Sequence, residues 1–168
     1  KALLWMSAGA VLYMVGKSKC TDLGGLYKTM PLTMIFGTIG ALAISSFPFL
    51  SGYTTKPMII EAGVHEGFFW VWLILEIASA GVFLHAGIKF PYFVFFAKDN
   101  GLCPGEPPKH MLVAMAFLSF ICIFLGVYPQ PLYEILPFGA VEFHAYTFEH
   151  TLNQFQLLMF SALAFFML

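Results

Sequence analysis

Long apolar runs are the feature that most constrains this chain, and residues 111–128 (MLVAMAFLSFICIFLGVY) are a clear example. A run of this length meets the roughly 20 apolar residues that a helix needs to cross a bilayer. Hydrophobic residues make up 60% of the 168 residues, and charged residues make up 10%. A soluble fold of this size cannot hide so much apolar surface. The sequence therefore predicts an all-α integral membrane protein, and it excludes a soluble enzyme and a nucleic-acid binder.

The apolar runs predict a polytopic bundle of transmembrane helices. The predicted helices cover residues 1–16, 31–65, 68–97 and 110–128, and polar loops at 17–30 and 98–109 separate them. Residues 129–154 are mixed and are predicted to form an extracytoplasmic segment, and residues 155–168 to start a further transmembrane helix. Because both ends of the chain lie inside apolar runs, we expect a fragment of a larger protein.

A cluster of helix breakers divides the predicted helix at residues 31–65. The first half is apolar as far as Phe47, breakers follow, and helical character resumes with MIIEAGV. Each half is short for a full span, so we predict one discontinuous helix that is non-helical from Pro48 to Thr55. Irregular backbone is tolerated at membrane depth only where it is buried in protein or lines a polar cavity. The alternative is two separate helices joined by a surface loop. The predicted hinge residues are Pro48, Ser51, Gly52 and Pro57.

The lysines predict an orientation in the membrane. All eight basic residues are lysines; loop 17–30 carries three and loop 98–109 carries two, whereas segments 61–67 and 129–154 carry none. By the positive-inside rule, the first two loops face the cytoplasm. The loops alternate correctly only if residues 31–65 cross the membrane once. We expect a multi-pass protein of the bacterial inner membrane.

Four ionisable residues lie within the predicted spans. They are Lys56, Glu76, His85 and Lys89. A charge at the bilayer centre costs at least about 2.5–3.5 kcal/mol on insertion scales, and intramembrane ionisable groups mark ion or proton paths by default. The four residues therefore predict a path for ions through the bundle.

Each of the four has a structural alternative. Lys56 lies at the break, where a desolvated amine can exchange protons near neutral pH; the alternative is a lysine that snorkels to the interface. His85 and Lys89 are four residues apart and share a helix face, so they predict one relay step; alternatively, Lys89 snorkels and His85 only packs. Glu76 is placed about opposite His85 and is predicted to pair with another helix or subunit, or to make a buried hydrogen bond.

The sequence predicts neither a metal site nor a resident cofactor. Its three cysteines (Cys20, Cys103 and Cys122) are widely spaced and form no cluster with histidine. No paired histidines for haem and no cysteine set for an iron–sulfur cluster are visible. We therefore expect no catalytic residues in the covalent sense.

Residues 1–60 resemble a known family of membrane subunits. The segments that carry the resemblance are KALLWMSAGAVLYMVG, DLGGLYKTMPLT and ALAISSFPFLSGYTTKPMI, with a Gly-x-x-x-Lys element from Gly52 to Lys56. They resemble the antiporter-like subunits of respiratory complex I, of Mrp-type cation/proton antiporters (subunits A and D) and of membrane-bound hydrogenases. The resemblance is weaker over residues 61–128, where Lys89 matches a common basic position, and weak beyond 129.

The resemblance implies an inverted-repeat transporter fold in which each five-helix repeat has one broken helix. Residues 1–128 would then be the end of the antiporter-like domain, in the C-terminal portion of the parent subunit. Lys1 would match the lysine of the central polar axis, and Lys56 the terminal lysine or glutamate near the exit to the outside. The first repeat lies outside this chain, so the chain alone is not expected to pump.

The resemblance also implies a function. We expect translocation of protons, with sodium ions as an alternative cargo, through a buried Lys/His/water relay in a multi-subunit complex. The expected partners are other membrane subunits and the lipid bilayer, with no nucleic acid. The alternatives are a subunit of a quinone- or hydrogenase-linked complex with a redox role, and a structural membrane anchor. The family branch stays open, although the lysine of FPFLSGYTTK favours the L-like or Mrp-like branches.

Overall fold

The computed structural model describes residues 1–136 and 146–167. Every regular element in these ranges is helical, and they contain no strand. The helices are α1 (Ala2–Val15), α2 (Pro31–Ile44), α3 (Ser51–His65), α4 (Phe69–Val82), α5 (Lys109–Val127), α6 (Gln130–Glu134) and α7 (Phe148–Met167). Residues 137–145, with Glu142 and His144 of the predicted extracytoplasmic segment, and residue 168 lie outside the described ranges.

Two helices of the described chain are long and apolar enough to cross a membrane. One is the continuous helix Phe69–Phe96, of 28 residues, and the other is α5, of 19 residues. Within the described chain, only 6% of the most apolar stretch of Phe69–Phe96 and 17% of that of α5 are buried. The core helix of a soluble protein would be mostly buried. The predicted all-α membrane bundle is confirmed.

The helix predicted over residues 31–65 is interrupted, but earlier and more briefly than predicted. α2 ends at Ile44 and α3 begins at Ser51, so the non-helical segment is residues 45–50. The prediction that Ser51–Thr55 are non-helical is wrong. Thr54 and Thr55 fit into this first turn because each hydroxyl donates a hydrogen bond of 3.0 Å back to the Ser51 carbonyl, so their polar groups are satisfied within the helix.

Of the four predicted hinge residues, Pro48 alone lies in the interruption. Ser51 and Gly52 open α3, and Pro57 lies inside it. A proline is tolerated inside a membrane helix when its neighbours supply partners for the freed backbone groups. That α2 and α3 together form one discontinuous span stays a prediction.

The long helix Phe69–Phe96 changes its winding twice. α4 continues directly into a π-helical section at Phe83–Lys89, and a second π-helical section follows at Tyr92–Phe96. Pro91, which has no backbone N–H to donate, lies between them. π-Helical turns inside α-helices are uncommon and are frequent at functional sites.

The two lysine-containing loops pack together at one end of the bundle. Lys28 Nζ lies 3.4 Å from Asp99 Oδ2, and the Asn100 side chain donates hydrogen bonds of 3.3 and 2.8 Å to the carbonyls of Thr21 and Leu23. Loops 17–30 and 98–109 therefore lie on the same side, as predicted. That this side is the cytoplasm stays a prediction.

The start of α2 is held by the second of these loops. The Glu106 carboxylate accepts hydrogen bonds from the backbone N–H groups of Leu32 (2.6 Å) and Thr33 (3.4 Å) and from the Thr33 hydroxyl (2.8 Å). The first N–H groups of a helix have no partner within it, and a carboxylate also suits the positive end of the helix dipole. Glu106 thus fixes α2 to loop 98–109.

The last helix begins earlier than the predicted start at residue 155. α7 runs from Phe148 to Met167, so residues 148–154 of the predicted extracytoplasmic segment are helical. α7 packs against the π-helical section Phe83–Lys89 and against α4. This packing places the C-terminal helix beside the interrupted region.

Candidate functional site at the helix interruption

The interruption between α2 and α3 has a strained backbone. Ser46 and Phe49 have φ values of 59° and 66°, in the left-handed region that non-glycine residues rarely adopt. Pro48 disfavours a helical conformation at Phe47 and cannot donate a hydrogen bond, so the helix cannot continue through this point. Strained backbone of this kind persists only where the surrounding structure determines it, and it clusters at functional sites.

Three glycines allow neighbouring elements to approach the interruption closely. A methyl group at Gly52 would overlap the Ala43 carbonyl at the end of α2, and one at Gly126 would overlap the backbone of Phe49. A methyl group at Gly87, in the first π-helical section, would overlap the Ser45 hydroxyl. α3 and α5 therefore meet this region at backbone distance, and the long helix meets it at the Ser45 side chain.

A polar cavity opens beside the interruption. It has a volume of about 260 Å³ and lies between the start of α1, the end of α2 and the first two turns of α3. This volume is large enough for several water molecules. Its walls bring together Lys1 and Lys56, two of the predicted path residues. The lining residues are Lys1, Ala43, Ile44, Ser51, Gly52, Thr55 and Lys56.

Lys56 is the most unusual charged group of the described chain. Its Nζ atom is buried and has no hydrogen-bond partner, and the described residues make no ion pair with it. A buried charge is ordinarily paired or hydrogen-bonded because leaving it alone is costly. The cavity supplies the room for water that would solvate this amine.

Glu76 interacts electrostatically with Lys56. Its carboxylate on α4 and the amine of Lys56 on α3 act on each other across the packed α3–α4 pair, at more than ion-pair distance. The sequence analysis placed Glu76 by its spacing from His85 and missed this partner. A signal was present, since Lys56 and Glu76 each lie ten residues from Glu66 in the tight turn (66 − 56 = 76 − 66). In an antiparallel helix pair, residues equally far from the turn lie at the same depth.

His85 and Lys89 lie on a different part of the molecule. Both belong to the π-helical section Phe83–Lys89, and both side chains are exposed within the described chain. Neither residue lines the cavity that Lys1 and Lys56 share. The structure therefore groups Lys1, Lys56 and Glu76, and it leaves His85 and Lys89 apart from them.

Buried tyrosines around the interruption were not found by the sequence analysis. Tyr53, on α3, is fully buried; its hydroxyl lies 2.7 Å from Thr151 Oγ1, and its ring packs against those of Tyr146 and His150. Tyr133 donates a 3.0 Å hydrogen bond to the Thr54 carbonyl. These contacts connect α3 to α6 and α7. The sequence analysis did not predict them because the residues that make them have no regular spacing along the chain.

No group of three or more metal-ligating side chains occurs among the residues that the structure describes. The polar groups at the interruption are amines, hydroxyls and one carboxylate, which favour proton exchange over metal binding. What this arrangement can do chemically is hold water near a buried amine and change the charge on that amine.

The chain matches known proteins over most of its length. Residues 1–82 match the family model of the NADH:quinone oxidoreductase/Mrp antiporter transmembrane region. This match includes Lys1, the interruption, Lys56 and Glu76.

Curated relatives that share one name also match this chain. "NADH-ubiquinone oxidoreductase chain 5" of Acanthamoeba castellanii is 32% identical over 75% of this chain and 20% of its own length. The protein of the same name from Dictyostelium citrinum is 29% identical over 94% of this chain and 25% of its own length, and that from Pongo abelii is 33% identical over 72% of this chain and 22% of its own length. The chain thus spans about a fifth to a quarter of these relatives. By the family match and these relatives, the chain belongs to the antiporter-like membrane subunits of the NADH:quinone oxidoreductase and Mrp antiporter family.

Proposed function

We propose that this chain is part of a subunit that moves protons across a membrane within a complex of the NADH:quinone oxidoreductase type. The observation that carries the proposal is the buried, unpartnered amine of Lys56 in a cavity that Lys1 also lines. Ionisable groups inside a membrane bundle are costly and are retained at ion and proton paths. The relatives named chain 5 favour the complex I branch over the Mrp branch.

The relay step follows from the charges on either side of Lys56. Protonated Lys1 disfavours a second positive charge on the shared cavity, whereas ionised Glu76 favours one. Cavity water carries a proton to the Lys56 amine, and loss of a proton from the ammonium returns it to water. The protonation of the Lys56 amine therefore follows changes in charge at Lys1 and Glu76. A pump requires this kind of coupling.

His85 and Lys89 are proposed to serve the loop end of the path. Lys89 is in the last turn of the π-helical section Phe83–Lys89. In the same section, Gly87 lies close to the Ser45 hydroxyl. This section joins the interruption to the end of the bundle where loops 17–30 and 98–109 meet. Protons would reach the interior along it.

The complex and its location complete the proposal. We propose other membrane subunits as partners, because the relatives are named as one chain of an oxidoreductase. Protons are the proposed transported ion. Sodium is the alternative, and a sodium gradient formed by the complex would indicate it. The predicted bacterial inner membrane stays a prediction, since the relatives cited come from eukaryotes.

The first test replaces the amine of Lys56. In the intact parent complex, reconstituted in vesicles, Lys56→Ala is expected to abolish or strongly reduce proton uptake while the subunit still assembles. Assembly should persist because the change removes a buried charge that has no partner. Lys19→Ala removes an exposed loop lysine and is expected to leave uptake unchanged. Wild-type proton uptake by assembled Lys56→Ala would refute the relay role and favour a snorkelling lysine.

The second test removes the charge that faces Lys56. Glu76→Gln keeps the shape of the side chain and is expected to lower proton uptake several-fold, because the ammonium state of Lys56 loses its opposite charge. Glu134→Gln alters an exposed carboxylate on α6 and serves as the matched control. The proposed coupling fails if Glu76→Gln lowers proton uptake by the same factor in a complex that already carries Lys56→Ala. Glu76 would then act independently of Lys56.

A further inference from the structure

A second cavity lies along α1, from Trp5 to the loop that follows the helix. It has a volume of about 260 Å³ and is bounded by α1, by loop 17–30 and by the end of the long helix Phe69–Phe96. Trp5 and Leu12 form one wall, and Phe90 and Val94 form the other. The cavity is therefore a mainly apolar groove between two helices, and we call it the α1 groove.

The α1 groove has the depth of one membrane leaflet. From Trp5 to Val15 the helix rises through ten residues, which at 1.5 Å per residue is about 15 Å. The hydrocarbon core of a bilayer is about 30 Å thick, so one leaflet contributes about half of that. α1 ends at Gly16, whose φ of 72° turns the chain out of the helix. The groove thus begins where the chain leaves the helix and extends toward Trp5.

The mouth of the α1 groove is basic. Lys17 lines it together with Ser18 and Cys20, and the exposed Lys19 follows in the same loop. Among the described residues that line the groove, none is acidic. An apolar channel of leaflet depth with a cation at its mouth matches an amphiphile that has an acyl chain and an anionic head. Basic pockets between membrane helices on the cytoplasmic side are known to bind such headgroups.

We propose that the α1 groove binds one phospholipid with an anionic headgroup, with its phosphate at Lys17 and an acyl chain along Trp5, Leu12, Phe90 and Val94. The site is separate from the cavity at the interruption, and it does not depend on proton translocation. The packing of α1 against α2 connects the bound lipid to the helix that ends at the interruption.

Native mass spectrometry of the intact parent complex tests this proposal. Complexes from vesicles of phosphatidylglycerol and phosphatidylcholine in equal amounts should retain the anionic lipid on this subunit with a preference of about fivefold. Lys17→Ala is expected to remove the preference and keep the binding. Gly9→Leu should remove binding of both lipids, because Gly9 lines the groove and a leucine there would occupy its free space. The leucine should not disturb the fold, since a Cβ atom at Gly9 meets nothing within 4 Å. Gly81→Leu, at a helical glycine with equal free space outside the groove, is the matched control.

The native cysteines give a second readout at the site itself. Cys20 lines the groove, whereas Cys103 is exposed on loop 98–109 at the same end of the bundle. Phosphatidylglycerol should slow maleimide labelling of Cys20 and leave Cys103 unchanged, and Gly9→Leu should cancel this protection. Glycerol 3-phosphate, which has the headgroup without an acyl chain, should not protect Cys20. Equal retention of the two lipids by the wild type, or protection of Cys20 that persists in Gly9→Leu, would overturn the proposal.

Discussion

Helix α5 and the pair α2–α3 pack against each other, yet they satisfy their backbones in different ways. α5 runs unbroken from Lys109 to Val127, so its interior N–H and C=O groups bond within the helix. α2 and α3 are separated by residues 45–50, and the Ser46 hydroxyl and the Lys56 amine beside this segment are buried without partners. A continuous membrane helix needs only apolar residues, whereas an interrupted one needs neighbours that hold it.

The difference explains where the polar groups are found. A backbone that leaves the helix exposes hydrogen-bonding groups, which only protein or water can satisfy at membrane depth. The chain therefore places a cavity, two lysines and a facing carboxylate around the interruption. The neighbouring helix supplies close packing there, since Gly126 of α5 lies against the backbone of Phe49 and Leu50.

The change with the largest expected effect on this contrast is Gly126→Ala. Its methyl group would overlap backbone atoms of Phe49 and Leu50, which cannot rotate away as a side chain can. Overpacking of this kind costs about 1–3 kcal/mol and sometimes more. We expect the subunit to lose thermal stability and assembly in the parent complex, as measured by its melting in detergent and its content in purified membranes.

Gly81→Ala is the matched control for Gly126→Ala. It adds the same methyl group to a helical glycine that has nothing within 4 Å. Alanine is favoured over glycine in a helix interior by roughly 0.5–1 kcal/mol, so this variant should be as stable as the wild type or slightly more stable. Equal stability of the two variants would show that α5 does not need to contact the interruption.

A smaller effect is expected from Tyr53→Phe, which tests whether α7 also holds the interruption. The change removes the hydroxyl that lies 2.7 Å from Thr151 Oγ1 and keeps the ring contacts with Tyr146 and His150. Thr151 still donates to the Thr147 carbonyl, so the loss should be about 0.5–1.5 kcal/mol. The measurement is the change in melting temperature against Tyr13→Phe, which alters an exposed tyrosine on α1.

The continuous part of the fold could be predicted from the sequence because its signal is local. A run of apolar residues bounded by KDNGLCPGEPPK and by Pro129 leaves little choice for α5. The interruption was also visible in Pro48. Its bounds were not, because α3 accommodates the predicted breakers Gly52 and Pro57 within the helix.

The site was predictable in its charges and not in its contacts. Lys56 and Glu76 are conspicuous in apolar runs, but their electrostatic interaction depends on the α3–α4 turn. The buried tyrosines were missed because Tyr53 meets Thr151 across 98 residues of sequence. Contacts of that range depend on how the helices pack, which no local pattern encodes.

The smallest expected effect concerns Asp99, at the loop end and away from the interruption. The N–H of Gly101, 2.9 Å from the carboxylate, and the ammonium of Lys28 lower the pKa of Asp99. A lowered pKa in the folded state means that the carboxylate stabilises the loop above its unfolded pKa of about 3.9, and that this contribution is lost as the pH falls through the lower folded value. Hydrogen exchange at residues 99–102, corrected for the intrinsic pH dependence, should therefore accelerate in acid. Asp99→Asn keeps an acceptor for Gly101 but loses the charge, so it should flatten this acid dependence and leave exchange around residues 45–50 unchanged. A matching acceleration at residues 45–50 in the wild type would show that the loop end and the interruption are coupled, contrary to the separation that the structure indicates.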